Sequence, residues 1–424
     1  MIAPSCFNGG GCRHSMSSSL LSSSIAAALP QSSAMDDAPA VRLLAETLAQ
    51  ACALGASDIH VEPGERGWRI RLRVDGTLHE AARPPAHLRD AFVTRVKVLA
   101  RLDIAERRVP QDGRLRLASA AGKTEDYRVS SLPTLFGEKL VLRRLDTLPD
   151  ELSLDALGFT TQQRALVEAA IRTPHGLILV TGPTGSGKTL SLHCFMQMLN
   201  AESRNICAVE DPAEIQLAGI NQVNVREKAG LTFAVALRAF LRQDPDVIMV
   251  GEIRDGETAD VAFKAAQTGH LVLSTLHTND AAGAIARLLD IGVAPYNLAA
   301  ALKLVTAQRL VRRLCTCCRK PARAADASLR AAGFAEDEIG GWTPYVACGC
   351  EDCHGIGYKG RVGIHQVMPV SPTMRELIVA RATGEPLARQ ARAEGTATLR
   401  QAALARVRDG TTSLSEALAA TEAG

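Results

Sequence analysis

The sequence predicts an α/β chain: a doubly wound parallel-sheet domain, preceded by a smaller α+β domain and followed by a four-cysteine insert and a helical C-terminus. Three observations carry this. Four short apolar runs (177–181, 206–209, 247–250 and 271–275) alternate with helical segments at 190–200, 232–243 and 257–267. Continuous apolar runs of that length suit strands buried on both faces of a parallel sheet. The first run leads into a glycine-rich loop, Gly182-Pro183-Thr184-Gly185-Ser186-Gly187-Lys188-Thr189, and two Cys-x-x-Cys pairs lie downstream.

The elements follow in order. Residues 1–35 are serine-rich, with Arg13 ahead of an interrupted apolar stretch; they read as a disordered tail, or as sequence upstream of a start at Met16 or Met35. Residues 36–148 are expected to form the α+β domain. Val41, Leu44, Leu48 and Cys52 recur at helical spacing, and a strand begins within 56–60. Residues 68–74 alternate apolar and polar, Asp75-Gly76 turns the chain, and 77–79 start the return. A helix over 88–102 and strands at 114–117, 127–130 and 140–143 complete the domain, and 148–152 read as a linker. The second domain is expected over 149–310, opening with a helix at 161–172. The pattern from 281 to 314 reads as helical, the cysteine-rich insert as 311–362, and the helical C-terminal region as 363–424.

Composition narrows the function. The 424 residues carry 48 Lys plus Arg against 45 Asp plus Glu, a net charge of +3, which argues against a surface given over to nucleic acid. Arg outnumbers Lys 39 to 9, as a coding bias or a preference for phosphate-binding forks would produce. Nowhere do 18 apolar residues run together, so no membrane-spanning helix is expected. Six of the 11 cysteines fall between Cys315 and Cys353, a clustering that favours metal over disulfides and a cytosolic setting.

The glycine-rich loop fits G-x-x-x-x-G-K-[ST], and it stands between an apolar strand and a helix. Its glycines let backbone N–H groups curl around a phosphate, and the helix N-terminus adds positive potential. Lys188 is expected to reach the β/γ oxygens of ATP, and Thr189 to hold Mg²⁺. Two further strands run into acids: Glu210-Asp211-Pro-Ala-Glu214, and Gly251-Glu252-Ile-Arg254. Ligands bind at the carboxyl ends of parallel strands, so both clusters should face the phosphates. Asp211 also reads as a cap for a following helix. His277 lies past the end of its strand and reads as a γ-phosphate sensor; His270 precedes that strand, and its reading stays open between catalytic and structural.

Four boxes together resemble the type II secretion and type IV pilus assembly ATPases (the GspE/PilB family). They are the 182–189 loop, Glu210 to Glu214, Asp244-Pro-Asp-Val-Ile-Met-Val-Gly-Glu252-Ile-Arg-Asp, and Thr268-Gly-His270 through Leu276-His277-Thr-Asn-Asp. The resemblance covers about 40–420, and Ala56-Ser-Asp-Ile-His-Val-Glu and Pro110-Gln-Asp-Gly-Arg114 look like the family's preceding domain. It implies a RecA-like P-loop NTPase domain and a homo-hexameric ring at the cytoplasmic face of the inner membrane. It also implies a membrane platform partner, and ATP hydrolysis coupled to building a pilus-like fibre. Carried over by position, Glu214 resembles the family's general base, Glu252 its second-box acid and His277 its phosphate sensor. Arg114 and Arg128 resemble arginines that its first domain contributes. Full-length members often carry a further docking domain where this sequence has about 35 low-complexity residues, which leaves recruitment open.

The cysteines read independently. Cys315/Cys318 and Cys350/Cys353 supply the four thiolates of a structural Zn²⁺, with Cys317 and Cys348 spare and the register open. The resemblance supports the same four, and it favours assembly or secretion over retraction. The alternative is a nucleic-acid-stimulated motor. With aromatics at 4% and few among the arginines, no stacking groove is evident and no direct nucleic-acid partner is expected.

Overall fold

The computed structural model describes residues 38–118, 124–145 and 152–421. The expected tail at 1–35 and nearly all of the expected linker lie outside them. The chain divides into two units, Met1–Asp146 and Thr147–Gly424.

The first unit runs α1 (Pro39–Ala53), β1 (Asp58–Gly64), β2 (Gly67–Val74), β3 (Thr77–Ala82), α2 (Arg89–Leu99), β4 (Gln111–Ala118), β5 (Thr124–Thr134) and β6 (Gly137–Leu145). Its antiparallel sheet has the order β3-β2-β1-β6-β5-β4. The β2–β3 turn holds Asp75 and Gly76 at φ 46 and 84, the left-handed pair that a two-residue hairpin demands. Leu44, Ala51, Phe92 and Val96 from the helices join Ile70, Leu72, Val129 and Leu140 from the sheet in one core. Helix α2 stops short of the expected 102, because the chain turns through Arg101 at φ 57. Buried Lys97 ties the segment after α2 to the sheet: its ammonium donates to Glu138 (2.8 Å) and to the Glu106 carbonyl (2.7 Å).

The second unit opens with α3 (Leu154–Leu157) and α4 (Thr161–Ile171). It continues through β7 (Gly176–Thr181), α5 (Lys188–Leu199), β8 (Ile206–Glu210), β9 (Asn221–Asn224), α6 (Phe233–Phe240), β10 (Val247–Val250), α7 (Gly256–Gln267), β11 (Leu271–Leu276), α8 (Ala281–Asp290) and α9 (Pro295–Ala301). Then come β12 (Leu302–Leu314), β13 (Lys320–Pro321), α10 (Asp326–Ala332), β14 (Tyr345–Val346), β15 (Tyr358–Pro369), α11 (Pro372–Val379), α12 (Glu385–Ala393), α13 (Leu399–Arg408) and α14 (Leu414–Thr421). The seven-stranded sheet has the order β15-β12-β7-β11-β10-β8-β9, parallel except for the β15 edge. Leu177 and Leu179 of β7 point into one core and Ile178 and Val180 into another, so every position in the strand must be apolar.

Two expectations need correction. Residues 302–314 are not helical: they form β12, between β7 and β15. Leu304, Ala307, Val311 and Leu314 mimic helical spacing, but a strand covered on both faces has no reason to keep a period of two. The boundaries drawn at 310/311 and 362/363 consequently cut through β12 and β15, and the cysteine-rich segment is an excursion between these paired strands. Residues 363–369 are strand, and the C-terminal helices begin at Pro372.

Candidate nucleotide site and metal centre

The parallel strands bring the predicted residues of the second unit to one edge of the sheet. Thr181 ends β7, Glu210 ends β8, Val250 ends β10 and Leu276 ends β11, so the loop and both acidic segments leave the same edge. β12 runs parallel to β7 with Ala307 beside Thr181, which adds Gln308 and Arg309 to that edge.

The 182–189 loop is held from below. Gln308, buried in β12, donates to the Ser186 carbonyl (2.8 Å) and accepts from the Ser191 hydroxyl (2.9 Å). Gly182 approaches the same strand so closely that a Cβ would stand 2.4 Å from the Gln308 carbonyl oxygen. Gly187 caps α5 with φ 87, a conformation that favours glycine. Lys188 folds back, its Nζ donating to the carbonyls of Gly182 (2.8 Å) and Pro183 (3.0 Å). Burial lowers its pKa, and the charge of Glu252 opposes that shift. The Ser186 hydroxyl is buried without a partner, while Thr184, Gly185 and Thr189 are exposed. A loop of exposed groups at a helix N-terminus, with a buried ammonium beneath, is built to receive an anion.

A chain of charges lies alongside. Arg254 donates to Glu252 (2.6 Å) and stands 3.7 Å from Asp211, and His277 Nε2 is 3.3 Å from the other Glu252 oxygen. Burial raises the Glu252 pKa, but Arg254 and His277 outweigh it and hold the carboxyl below its ordinary range. Thr275 Oγ1 donates to the Gly251 carbonyl (2.6 Å), fixing the turn that presents Glu252. No helix follows Asp211: residues 211–220 are irregular, and Asp211 faces Arg254 instead of capping. Glu210 is buried against His193 (3.3 Å) and accepts from Gln222 (3.0 Å), whereas Glu214 is exposed in the 211–220 loop.

His270 sits at the opposite end of β11, about 20 Å away at roughly 3.3 Å per residue over six residues, with Nδ1 3.1 Å from the Ala265 carbonyl. It terminates α7 and stands apart from the loop. Arg114 and Arg128 belong to the first unit. They pair across β4 and β5, both exposed, with Arg128 3.8 Å from Asp112.

Sequence reasoning missed Gln308 and the bridging place of Arg254. The signal for Gln308 was a lone amide inside an apolar stretch, and reading that stretch as helix hid it.

Cys315, Cys318, Cys350 and Cys353 bring all four sulfurs within 4.8 Å of one another. The 315–350, 318–353 and 350–353 pairs stand at 3.8, 3.7 and 3.7 Å. A tetrahedron with metal–sulfur arms of about 2.3 Å has edges of roughly 3.8 Å, so the donor set fits a Zn²⁺ ion. Backbone N–H groups point at the sulfurs: Gly349 at Cys318 (3.2 Å), and Cys350 and Gly357 at Cys353 (3.2 and 3.1 Å). Burial raises the Cys353 pKa, but the two N–H bonds, together with the Cys350 and Cys318 thiols, prevail and bring it down to about 7. Cys317 and Cys348 are exposed and outside the four.

Residues 33–419 match the family described as Type II/IV secretion system protein. The type IV pilus assembly ATPase PilB of Myxococcus xanthus (strain DK1622) is 51% identical over 384 residues, covering 90% of this chain and 68% of that one. The type II secretion system protein E of Pseudomonas aeruginosa (strain PAO1) is 48% identical over 386 residues, covering 91% and 76%. Among solved structures, the pilus retraction motor PilT with bound ADP aligns with a TM-score of 0.59 at 28% identity, covering 88% of this chain and 96% of that one. The chain spans 66% to 68% of the length of the pilus assembly relatives.

Proposed function

The chain belongs to the type II/IV secretion system protein family, a family of ATPases, and from that premise we propose that it is a homo-hexameric motor whose ATP hydrolysis drives assembly of a pilus or pseudopilus. The observation that carries this reading is the meeting of Lys188, Glu252 and His277 on the edge that bears the 182–189 loop. Backbone N–H groups of the loop and the start of α5 hold the phosphates. Lys188 leaves the Gly182 and Pro183 carbonyls to meet the β/γ oxygens. Thr189 and Glu252 are the groups that would hold Mg²⁺ and its waters, an ion that neutralises phosphate charge when bound. Glu214, unpaired on its loop among the described residues, takes the proton of the attacking water. His277 reports the γ-phosphate to Glu252, and Glu252 in turn holds Arg254.

Lys188 serves the β/γ oxygens and Arg254 is held by Glu252, so further positive charge toward the γ oxygens is assigned to the first unit. Arg114 and Arg128 supply it when the ring assembles, stabilising charge on the γ oxygens. The four cysteines hold a structural Zn²⁺ that clamps the excursion between β12 and β15. Among the described residues no helix is long and apolar enough to cross a membrane, which suits a motor docked to a platform protein at the inner membrane's cytoplasmic face. The relatives do not favour a nucleic-acid motor.

The test is Mg²⁺-dependent ATPase activity of the purified chain and of Lys188→Ala. The substitution should abolish turnover while the circular dichroism spectrum is retained; undiminished hydrolysis would remove the central assignment.

A further inference from the structure

Glu214 is exposed in a stretch, 211–220, that has no helix or strand of its own, yet a general base must stand in one place to take a proton. Irregular backbone offers its N–H and C=O groups no regular partners. Here side chains answer them on both sides of Glu214. Before it, the Ala213 N–H donates to Asn224 Oδ1 (2.7 Å). After it, Gln222 Nε2 donates to the Ile215 carbonyl (2.9 Å), and Gln222 Oε1 accepts from the Leu217 N–H (2.8 Å). Further on, Asn200, the C-cap of α5, donates through Nδ2 to the Ala218 carbonyl (2.8 Å). Leu217 is buried in one core with Phe195 and Met196 of α5.

The strand sets the spacing of these clasps. Gln222 and Asn224 are alternate residues of β9, so their side chains share one face of the sheet. Glu210 ends the neighbouring β8, opposite Asn224 in register, and its carboxylate accepts from Gln222 Nε2 (3.0 Å). The other Glu210 oxygen lies 3.3 Å from Nε2 of His193, which is buried on α5 one turn after Thr189. A line of contacts thus runs from the helix that begins at Lys188, through His193, Glu210 and Gln222, to the backbone beside Glu214. The Gln222 amide is used at both ends: its nitrogen meets two acceptors and its oxygen meets one donor. A carboxylate there would supply no donor, whereas at 224 an acceptor alone is enough.

We propose that Gln222 and Asn224 are positioning residues for hydrolysis: they hold the backbone on either side of Glu214 and so fix the place from which its carboxylate reaches the attacking water. The role rests on the reading of Glu214 as the base; the clasps themselves do not. Neither residue belongs to the 182–189 loop. Without the clasps the chain still binds nucleotide, but the base spends less time in reach of the water. The signature is a fall in kcat with KM and ADP affinity unchanged. A purely structural role lowers stability and leaves kcat of the folded protein alone.

The experiment is steady-state ATP hydrolysis by the full chain, paired with deuterium exchange of the 211–220 segment. Asn224→Ala and Gln222→Glu should each lower kcat by about tenfold or more, as a displaced catalytic group does. Gln222→Glu keeps the shape but sets a second carboxylate against Glu210 and the Ile215 carbonyl. Asn224→Asp keeps the acceptor for the Ala213 N–H and should restore kcat. Exchange should quicken at Leu217 in Gln222→Glu and at Ala213 in Asn224→Ala. In a Glu214→Gln background both substitutions should lose their effect on kcat, since they act through that carboxylate. Parental kcat in Asn224→Ala, an equal loss in Asn224→Asp, or full additivity with Glu214→Gln overturns the proposal. Asn224 is exposed, so its variants keep the test open should Gln222→Glu fail to fold. Exchange does not depend on turnover: unchanged protection in both variants overturns the clasps, whereas undiminished hydrolysis in Lys188→Ala overturns the ATPase reading.

Discussion

Replacing Gln308 by leucine tests how the phosphate loop is held. The side chain is 2% exposed and spans β12 and α5, donating to the Ser186 carbonyl and accepting from Ser191. Leucine keeps the approximate volume and removes both bonds. The Ser186 carbonyl, in a residue 3% exposed, then has no donor, a penalty of about 1–3 kcal/mol. The lost Ser191 bond adds about 0.5–1.5 kcal/mol, softened because that hydroxyl can turn back to the preceding helical turn. The sum is about 1.5–4.5 kcal/mol of stability. Because the orphaned carbonyl belongs to the loop itself, nucleotide affinity should fall about tenfold as well, or about 1.4 kcal/mol. Urea unfolding with and without ADP reads both quantities. At an ADP concentration of 100 times the parent's Kd, linkage stabilises the parent by about 2.7 kcal/mol and the variant by only about 1.4 kcal/mol. The m-value should not change, since the folded surface is the same. A variant within about 0.5 kcal/mol of the parent, with equal stabilisation by ADP, would refute the clasp.

Other expectations concern the remaining parts of the molecule. Protein purified without chelator should contain about one zinc per chain by atomic emission; Cys317→Ser and Cys348→Ser should retain it and Cys353→Ser should lose it, and loss in either of the first two disproves the ligand set. His365 is stacked on Phe159 and donates Nε2–H to the Leu157 carbonyl, with Nδ1 buried and unpartnered, so burial brings its pKa from 6.5 down to about 4. The unfolded chain therefore binds the extra proton first. Stability from this group is full above pH 6.5, falls as pH drops through 6.5 and is lost by about pH 4, a change of about 3 kcal/mol. Urea midpoints from pH 7.5 to 4.5 should show it, and His365→Gln should flatten that part of the profile; an unaltered slope in the variant contradicts the assignment. Arg114→Ala and Arg128→Ala should each cut turnover by about tenfold or more, about 1.4 kcal/mol, with hexamers intact by light scattering, and parental rates in both would end the finger assignment.

Much of the site was legible because its parts are local. A phosphate loop needs glycines and a lysine at set spacing within eight residues, and its strand needs an apolar run directly before it. The cysteine pairs are local in the same sense: each Cys-x-x-Cys is a single turn of chain, and the sulfurs meet where two such turns meet. The Asp75-Gly76 turn was readable for the same reason, since its backbone conformation selects those two residues.

What the sequence determined alone, then, was the chemistry carried by short segments: the loop, the acids at strand ends, the thiol pairs and the alternation of strand and helix. Only the tertiary structure decided the use of residues 302–314, because helical spacing and a strand buried on both faces present the same apolar positions. That placement put Gln308 under Ser186, 122 residues away in sequence, and set Arg309 beside Asn279. The tertiary structure likewise made Asp211 a partner of Arg254 rather than a helix cap. Such pairings depend on which distant strand lies alongside. Strand order is a property of how whole faces bury apolar area, and no local spacing encodes it.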